Sequence, residues 1–477
     1  MTQLALYEMS KKECRRVAIS VPIPKWLPPS LALWLRQRMA ERPEGKLTVG
    51  TRFSKGERAA MKRRRPVPIS AWAENHRVLE MSAIRGRWRN VFTPYLTGIM
   101  DVSGLPGVET VIICKSPQTG GSECGHNIVG YCIDRLPGPV MYVFPDELTA
   151  RENAKDRIIP MIEASPRLRQ YMTGYGDDAS SLRINLLHMP IYLGWSGSVS
   201  RLGNKPIRIL ILDELDKYKN PKNEASSESL AEKRTTTWRT RRKVVKISTP
   251  TTEDGPIWKA LTEEAGARFD FWVRCPHCGF FQHMDFERIA WPGKDEEKSL
   301  DAETVLAKRL AYYACECCGA VWDDGDRDRA VRGGEWRERT SGLELMAHVA
   351  AHRPVKVGFH IPAWLSYFVS LSEVAHAWLK YKESGKLDDL KNFRNQYAAE
   401  PWVESHAARS EDAILALCDD RPRGKVPGPV DGKERVSVLL ASCIFPAPSR
   451  FPTMMPMALP TAITATLNRF ITVEEML

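Results

Sequence analysis

At 477 residues, with 43% hydrophobic and 27% charged residues, the chain has the makeup of a globular protein of two or three domains with a large buried core, which excludes a disordered or fibrous one. A formal net charge of +11 favours polyanionic partners such as nucleic acid. Lys11, Lys12, Arg15 and Arg16 precede any sustained apolar run, which argues against a secretory signal, and the apolar stretches Val436 to Phe445 and Met454 to Leu467 are too short or proline-broken to span a bilayer.

Residues 1–65 hold no long periodic segment, carry Pro22, Pro24, Pro28 and Pro29, and end in the basic run Lys62-Arg63-Arg64-Arg65. They read as a partly helical arm. From about 70 to 265, apolar β-type runs alternate with helix-compatible stretches. The strands are expected at Val108 to Cys114, Val140 to Phe144, Ile191 to Leu193, Ile207 to Leu212 and Val244 to Ile247, with helices at Glu123 to Leu136 and Thr149 to Ala164. This rhythm predicts an α/β fold, a mainly parallel sheet with flanking helices, and such sheets bind ligands at the C-terminal ends of their strands.

The first strand runs into Lys115-Ser116-Pro117-Gln118-Thr119-Gly120-Gly121-Ser122. This resembles the phosphate-binding pattern G-x-x-x-x-G-K-[ST], but Gly121 holds the place of the lysine and Lys115 opens the loop. Gly120, Gly121 and Ser122 suit a backbone cradle for phosphate at a helix N-terminus, with the Ser122 hydroxyl as a magnesium ligand. Lys115, on its long stem, can bring its ammonium to the β- and γ-phosphates from the far side. About ninety residues later Ile209-Leu210-Ile211-Leu212 ends in Asp213 and Glu214. Such a pair divides the work of nucleotide hydrolysis, Asp213 holding Mg2+ and Glu214 activating the attacking water. Val245-Lys246-Ile247 then leads into Ser248-Thr249-Pro250-Thr251, with hydroxyls able to sense a γ-phosphate. Arg234, Arg239, Arg241 and Arg242 precede it and are candidates either for transition-state charge or for DNA.

Cys275-Pro276-His277-Cys278-Gly279 and Cys315-Glu316-Cys317-Cys318-Gly319 interrupt the α/β rhythm. Two such knuckles close an S₄ shell, so Cys275, Cys278, Cys315 and Cys318 are expected to bind Zn2+ in a small structural ribbon, leaving Cys317 a bystander. His348 and His352 are spaced i, i+4 but no Glu follows His348, so the metalloprotease pattern is absent. A last strand, Val357 to Ile361, precedes amphipathic helices, and from Val436 the sequence turns rich in Pro, Met, Ala and Thr.

Taken in order, these elements resemble the large terminase subunits of tailed bacteriophages, the lambda-like group. The resembling residues are Thr93-Pro94-Tyr95-Leu96, the Lys115 loop, Val143-Phe144-Pro145, Arg208 to Tyr218, Arg241-Arg242-Lys243 running into Ser248-Thr249-Pro250-Thr251, both knuckles, Gly358-Phe359-His360-Ile361 and Glu400-Pro401-Trp402. The resemblance implies a P-loop ATPase that drives double-stranded viral DNA into a procapsid, as a homo-oligomer on the portal with a small terminase subunit, in the cytoplasm of the bacterial host. It implies ATP and Mg2+ at Lys115, Gly120, Gly121, Ser122, Asp213 and Glu214, coupling of hydrolysis to movement by Ser248, Thr249 and Pro250, and an adenine-stacking aromatic upstream of the loop, Tyr95 or Trp88.

The expected division is an arm over 1–65 as a candidate small-subunit contact, the ATPase core over 66–268, the zinc-ribbon insert over 269–335, a last ATPase strand and helical linker over 336–410, and a remnant or replaced C-terminus over 411–477. The family's nuclease uses several carboxylates on separate strands around two metals. After residue 425 only Asp431, Glu434, Glu474 and Glu475 remain, so the nuclease is expected to be missing through truncation or a change of frame. The competing reading is a zinc-ribbon nucleic-acid-binding protein with an inactive nucleotide site, a decayed prophage product.

Overall fold

The computed structural model describes residues 29–40, 67–80, 82–175, 178–180, 182–222, 224–294 and 300–403. The basic run Lys62–Arg65 and the segment 411–477 lie outside the described residues, and of the arm only the helix Pro29–Ala40 lies within them. In chain order the strands are β1 (Val78–Leu79), β2 (Gly86–Arg87), β3 (Thr110–Lys115), β4 (Val140–Phe144), β5 (Ala179–Ser180), β6 (Arg183–Asn185), β7 (Pro190–Trp195) and β8 (Ile209–Asp213). They continue as β9 (Lys243–Ser248), β10 (Ala267–Arg274), β11 (Phe281–His283), β12 (Ile289–Ala290), β13 (Tyr312–Ala314), β14 (Val321–Trp322), β15 (Glu335–Glu338) and β16 (Lys356–Ile361).

Every residue of β3, β4 and β8 is buried, which is why they read as unbroken apolar runs rather than alternating ones. They belong to one sheet in the order β11-β10-β16-β3-β9-β8-β4-β7-β6-β5, with β15 also on β10. The seven strands from β10 to β7 are parallel, and the antiparallel pairings lie at the two margins. Period-two alternation divides the side chains between two covered faces. Ile113, Tyr142, Ile211 and Ile247 join the large core cluster with Cys124, Ile128 and Val129 of the helix Gly121–Arg135. Ile112 and Cys114 face the other way, against Ile257, Ala260 and Leu261.

Two departures from expectation have physical causes. The strand β10 carries alternating burial over Ala267–Arg274, so the boundary expected at 268/269 falls inside a strand of the central sheet. The cysteine-bearing segment leaves β10, contributes β11 to the same sheet, folds its own three-stranded sheet β12-β13-β14, and returns through β15 to pair with β10 again. The expected helix over Thr149 to Ala164 is a continuous run Glu147–Asn153, Ala154–Ile158 and Ile159–Ala164, its middle turn wound as a π-helix. It is capped by Asp146, whose carboxylate accepts from the Thr149 N–H at 2.8 Å. The described residues belong to one unit that ends at Glu404.

Candidate functional site

The strand β3 delivers Lys115 to its C-terminal end, and the chain turns through Ser116–Gly120 into the helix Gly121–Arg135. The entry needs a left-handed residue, and Gly120 supplies it at φ 78°. The loop carbonyls are turned away from its mouth. Ser116 O accepts from the Thr119 hydroxyl at 2.7 Å, Gln118 O from the Ser366 hydroxyl at 3.0 Å and Thr119 O from the Tyr95 hydroxyl at 3.1 Å. Among the described residues, nothing accepts a hydrogen bond from the N–H groups of Gln118, Thr119, Gly120, Gly121, Ser122 or Glu123. Six consecutive free donors at the positive end of a fifteen-residue helix form an anion cradle.

Lys115 is 9% exposed, and its stem crosses the mouth of the loop. A Cβ built on Gly121 would stand 2.4 Å from Lys115 Cδ and 2.6 Å from Cε. The lysine that opens the loop therefore occupies the space over the residue that stands where the usual pattern has its lysine, and that residue must be glycine to admit it. Burial lowers the Lys115 pKa, and the nearby charges of Asp213 and Glu214 pull it back up. No carboxylate lies within 4.0 Å of its ammonium among the described residues.

Asp213 ends β8, one strand beyond β9 from the loop. It is 3% exposed; its Oδ2 accepts from the Tyr142 hydroxyl at 3.1 Å and its Oδ1 from the Glu214 N–H at 3.1 Å, which fixes the carboxylate. Glu214 is half exposed and pairs with Lys217 at 2.7 Å. Its φ of 51° is unusual for a residue with a side chain. Five such non-glycine residues occur among those described, and Gln118, Glu214 and Ala399 are three of them; strain concentrated at one end of one sheet is a signature of a functional site.

The turn after β9 is tied to the turn after β8 by Asp216, which the sequence reading did not single out. The Asp216 N–H donates to Ser248 Oγ at 3.1 Å, and its carboxylate accepts from the Thr251 N–H and hydroxyl, at 2.8 and 3.0 Å, and from the Ile257 N–H at 2.8 Å. Burial raises the Asp216 pKa against the pull of those donors. Ser248 is buried, Pro250 is buried and Thr249 partly so. The segment 397–402 runs along the same strand ends. Tyr397 O accepts from Ser116 Oγ at 2.9 Å, Ala399 O is 3.1 Å from His360 Nε2, and the Trp402 N–H donates to Thr251 O at 2.9 Å. The Lys115 loop and the Ser248-Thr249-Pro250 turn thus share one strap.

Position speaks against base stacking by Tyr95 or Trp88 and against a contact of Arg234, Arg241 or Arg242 with the loop of the same chain, and leaves their alternative role toward DNA open. Tyr95 is wholly buried, its hydroxyl spent on Thr119 O and its carbonyl accepting from Trp336 Nε1 at 2.7 Å. It braces the loop from beneath and has no free ring face for a base. Trp88, 6% exposed, is likewise buried, with its indole N–H on Asn90 at 2.7 Å. Arg241 and Arg242 precede β9 at its N-terminal end, and a six-residue strand puts them roughly 15–20 Å from the loop. Arg242 is held there by Glu109 at 2.6 Å, and Arg234 donates to Gly203 O at 2.6 Å. Glu123, beside Ser122, would repel phosphate, but the guanidinium groups of Arg77 at 2.8 Å and Arg157 at 3.6 Å offset its charge, and His126 Nδ1 lies 3.5 Å away. Burial opposes its ionisation, yet these groups prevail and hold its pKa at about 2.

The four expected thiols converge. Cys275, Cys278, Cys315 and Cys318 place their sulfurs within 4.8 Å of one another, with Cys275 Sγ 3.9 Å from Cys318 Sγ and Cys278 Sγ 3.8 Å from Cys315 Sγ. A tetrahedron with Zn–S of about 2.3 Å has edges of about 3.8 Å, so the sulfur set fits zinc. One knuckle joins β10 to β11 and the other joins β13 to β14, so the cluster ties the small sheet to the margin of the large one. His348 sits buried in the helix Leu345–His352, 4.4 Å ring to ring from His352 and 3.2 Å from Ser341 Oγ, as an ordinary helix residue.

The model of the phage terminase large subunit gpA ATPase domain matches residues 82–336, a span that holds the loop, both carboxylates, the β9 turn and the four cysteines. The chain belongs to the phage terminase large subunit gpA family. A second family model, that of the gpA endonuclease domain, matches residues 356–443. This overturns the expectation of a missing nuclease. That expectation counted carboxylates only after residue 425, whereas the matched segment begins at Lys356 and includes Glu373, Glu383, Asp388, Asp389, Glu400, Glu411, Asp412, Asp419 and Asp420. It begins on β16, which pairs with β3 along its whole length, from Lys356 opposite Thr110 to Ile361 opposite Lys115.

The chain is similar to the large terminase subunit of Enterobacteria phage P21, 25% identical over 370 residues, covering 73% of this chain and 55% of the relative. It is similar also to that of Escherichia phage lambda, 25% identical over 406 residues, covering 79% and 58%. The chain thus spans a little over half the length of these curated relatives. Among solved structures, the large terminase ATPase domain of Thermus phage P74-26 aligns at 12% identity and TM-score 0.32, over 61% of this chain and 88% of that one. The HK97 bacteriophage large terminase aligns at 12% and 0.33, over 41% and 40%. Among the described residues no helix is long and apolar enough to cross a membrane.

Proposed function

We propose that this chain is an ATP-hydrolysing motor that translocates double-stranded viral DNA into a procapsid. The observation that carries the reading is the cradle of six free N–H groups crossed by a buried, unpaired Lys115, with Asp213 and Glu214 at the end of the next strand but one. In this reading Gly120, Gly121 and the loop amides bind the phosphate chain, and Lys115 lies on the β- and γ-phosphates. Ser122 Oγ and the Asp213 carboxylate would hold Mg2+, which neutralises phosphate charge. Glu214 orients and deprotonates the attacking water; its exposed pair with Lys217 is worth about 1 kcal/mol or less, so the carboxylate is free to swing. Ser248, Thr249 and Pro250 report phosphate loss, and Asp216 carries that movement to the β8 turn. The four cysteines bind structural Zn2+. The partners are viral DNA, a small terminase subunit, the portal of a procapsid and further copies of this chain, in the cytoplasm of the host. The endonuclease-domain match adds metal-dependent DNA cutting, assayed as plasmid nicking.

The test is phosphate release from MgATP by the purified full chain with and without linear duplex DNA. Turnover that rises on adding DNA is expected. A folded chain that turns over no ATP in either condition overturns the proposal.

A further inference from the structure

The outer face of the cysteine-bearing margin is built of arginines and aromatic rings, and the nucleotide site uses none of them. Side chains alternate along β10, so Phe269, Phe271 and Val273 enter the core while Arg268, Asp270, Trp272 and Arg274 face outward. The antiparallel neighbours complete the face. Arg274 lies opposite Phe281 and Trp272 opposite His283 on β11, while Asp270 lies opposite Arg337 and Trp272 opposite Glu335 on β15. Arg339 follows β15 on the same side, its N–H donating to Arg268 O at 2.8 Å. The ring of Phe281 carries two guanidinium groups, with Arg274 Cζ 5.0 Å and Arg337 Cζ 4.6 Å from its centroid, and Arg337 Cζ is also 5.8 Å from that of Trp272. Two like charges are thereby held within roughly 10 Å of each other, about one Debye length at 0.1 M salt. Arg337 pairs with Glu335 at 2.8 Å and Arg339 lies 3.5 Å from Asp270, while His283 is taken by Asp285 at 2.7 Å. Among the described residues no carboxylate comes within 4.0 Å of Arg268 or Arg274. Four arginines against Asp270 and Glu335 leave the face positive. At its β16 end it runs into a cleft of about 440 Å³ lined by Arg268, Asp270, His283, Arg339, His360 and Arg394, the last two from the segment matched by the endonuclease-domain model.

We infer that this face of β11, β10 and β15 is a docking surface for the phosphate backbone of duplex DNA, with Arg274 and Arg337 as its anchors. The inference rests on the reading of DNA as a partner proposed above. A polyanion supplies the countercharge that the face lacks, and planar guanidinium groups stacked on rings meet phosphate oxygens with little freedom left to lose. Duplex rather than unpaired strand is the occupant because the Phe281 ring is taken by guanidinium groups instead of lying open to bases, which suits backbone contact and not base stacking. A duplex laid along the face is led from the first cysteine knuckle toward the endonuclease-matched segment.

The test follows the affinity of the full chain for a short fluorescently labelled duplex, and for one of its strands alone, from about 50 to 200 mM KCl. Arg274→Gln combined with Arg337→Gln should bind the duplex more weakly at low salt. Its slope of log affinity against log salt should be shallower by about 1.8, so that the deficit shrinks roughly tenfold across that range. Arg274→Lys combined with Arg337→Lys should keep the wild-type slope, since an ammonium still displaces a counterion. Phosphate release from MgATP without DNA should be unchanged in both. A wild-type slope in the glutamine variant overturns the surface, as does an equal loss in the glutamine and lysine variants, or a loss confined to the single strand. If the wild-type chain binds no duplex, the DNA reading falls and takes the surface with it. If it binds and the glutamine variant binds equally well, only the surface falls.

Discussion

Gly121→Ala isolates the most distinctive feature of the loop, the lysine that reaches its place from the wrong end. Gly121 is helical, so an alanine there suits the backbone and should by itself favour folding by about 0.5–1 kcal/mol. Its methyl, however, would meet Lys115 Cδ at 2.4 Å and Cε at 2.6 Å, where non-bonded carbons need about 3.5 Å or more. The stem must yield by about 1 Å, and it can, because these atoms are the far end of a flexible chain. Stability should therefore remain within about 1 kcal/mol of wild type in urea unfolding. Function should not, since a displacement of that size in a charged group can cost about 10²-fold, or about 2.7 kcal/mol of transition-state stabilisation. The assay is steady-state phosphate release, run also in a Lys115→Ala background. There Gly121→Ala should cost little more, since its severe contacts are with the lysine and only the milder one, with Ile247 Cγ2 at 3.2 Å, remains. Wild-type turnover in Gly121→Ala, or an equal loss with and without Lys115, would refute the reasoning.

The remaining predictions concern the surroundings of the site. Cys278→Ser should abolish a stoichiometric zinc content, measured by elemental analysis of chelator-free protein, and lower the melting temperature by roughly 5–10 °C; full stability with no metal in the wild type would defeat the S₄ site. Glu123, held at about 2 against an ordinary 4.5, contributes stability that is present above about pH 4.5 and is lost as pH falls toward 2. Urea titrations of Glu123→Gln should accordingly show lower stability at pH 7 that converges on the wild type near pH 2, and parallel curves would contradict the ion cluster. Asp216→Ala strands the N–H groups of Thr251 and Ile257 and should cost about 1–3 kcal/mol, while reducing turnover more than nucleotide affinity. A fall in affinity alone would deny Asp216 its bridging part.

What could be read beforehand was what burial writes into composition. The strands β3, β4 and β8 are covered on both faces and show as apolar runs, and the loop and carboxylates sit where such runs stop. The strand β10 was legible too, since Ala267, Phe269, Phe271 and Val273 alternate with polar or half-exposed neighbours. Its closeness to Cys275 drew it into the ribbon. Tyr95 could not be placed because a sequence shows an aromatic residue near a loop but not whether it lies above or below it. Arg241 and Arg242 look adjacent to Ser248 in the chain, while one strand length separates them in space. Asp216 acts through backbone N–H groups of residues 35 and 41 positions away, which no local pattern encodes.

The central claim is that this loop and these carboxylates hydrolyse ATP, and Glu214→Gln tests it most directly. The substitution keeps the shape at the end of β8 and removes only the base. Nucleotide binding, followed by equilibrium titration with a fluorescent ATP analogue, should remain within a few-fold of wild type, while DNA-stimulated phosphate release should fall by roughly 10²–10⁴. Turnover that survives Glu214→Gln unchanged would contradict the account.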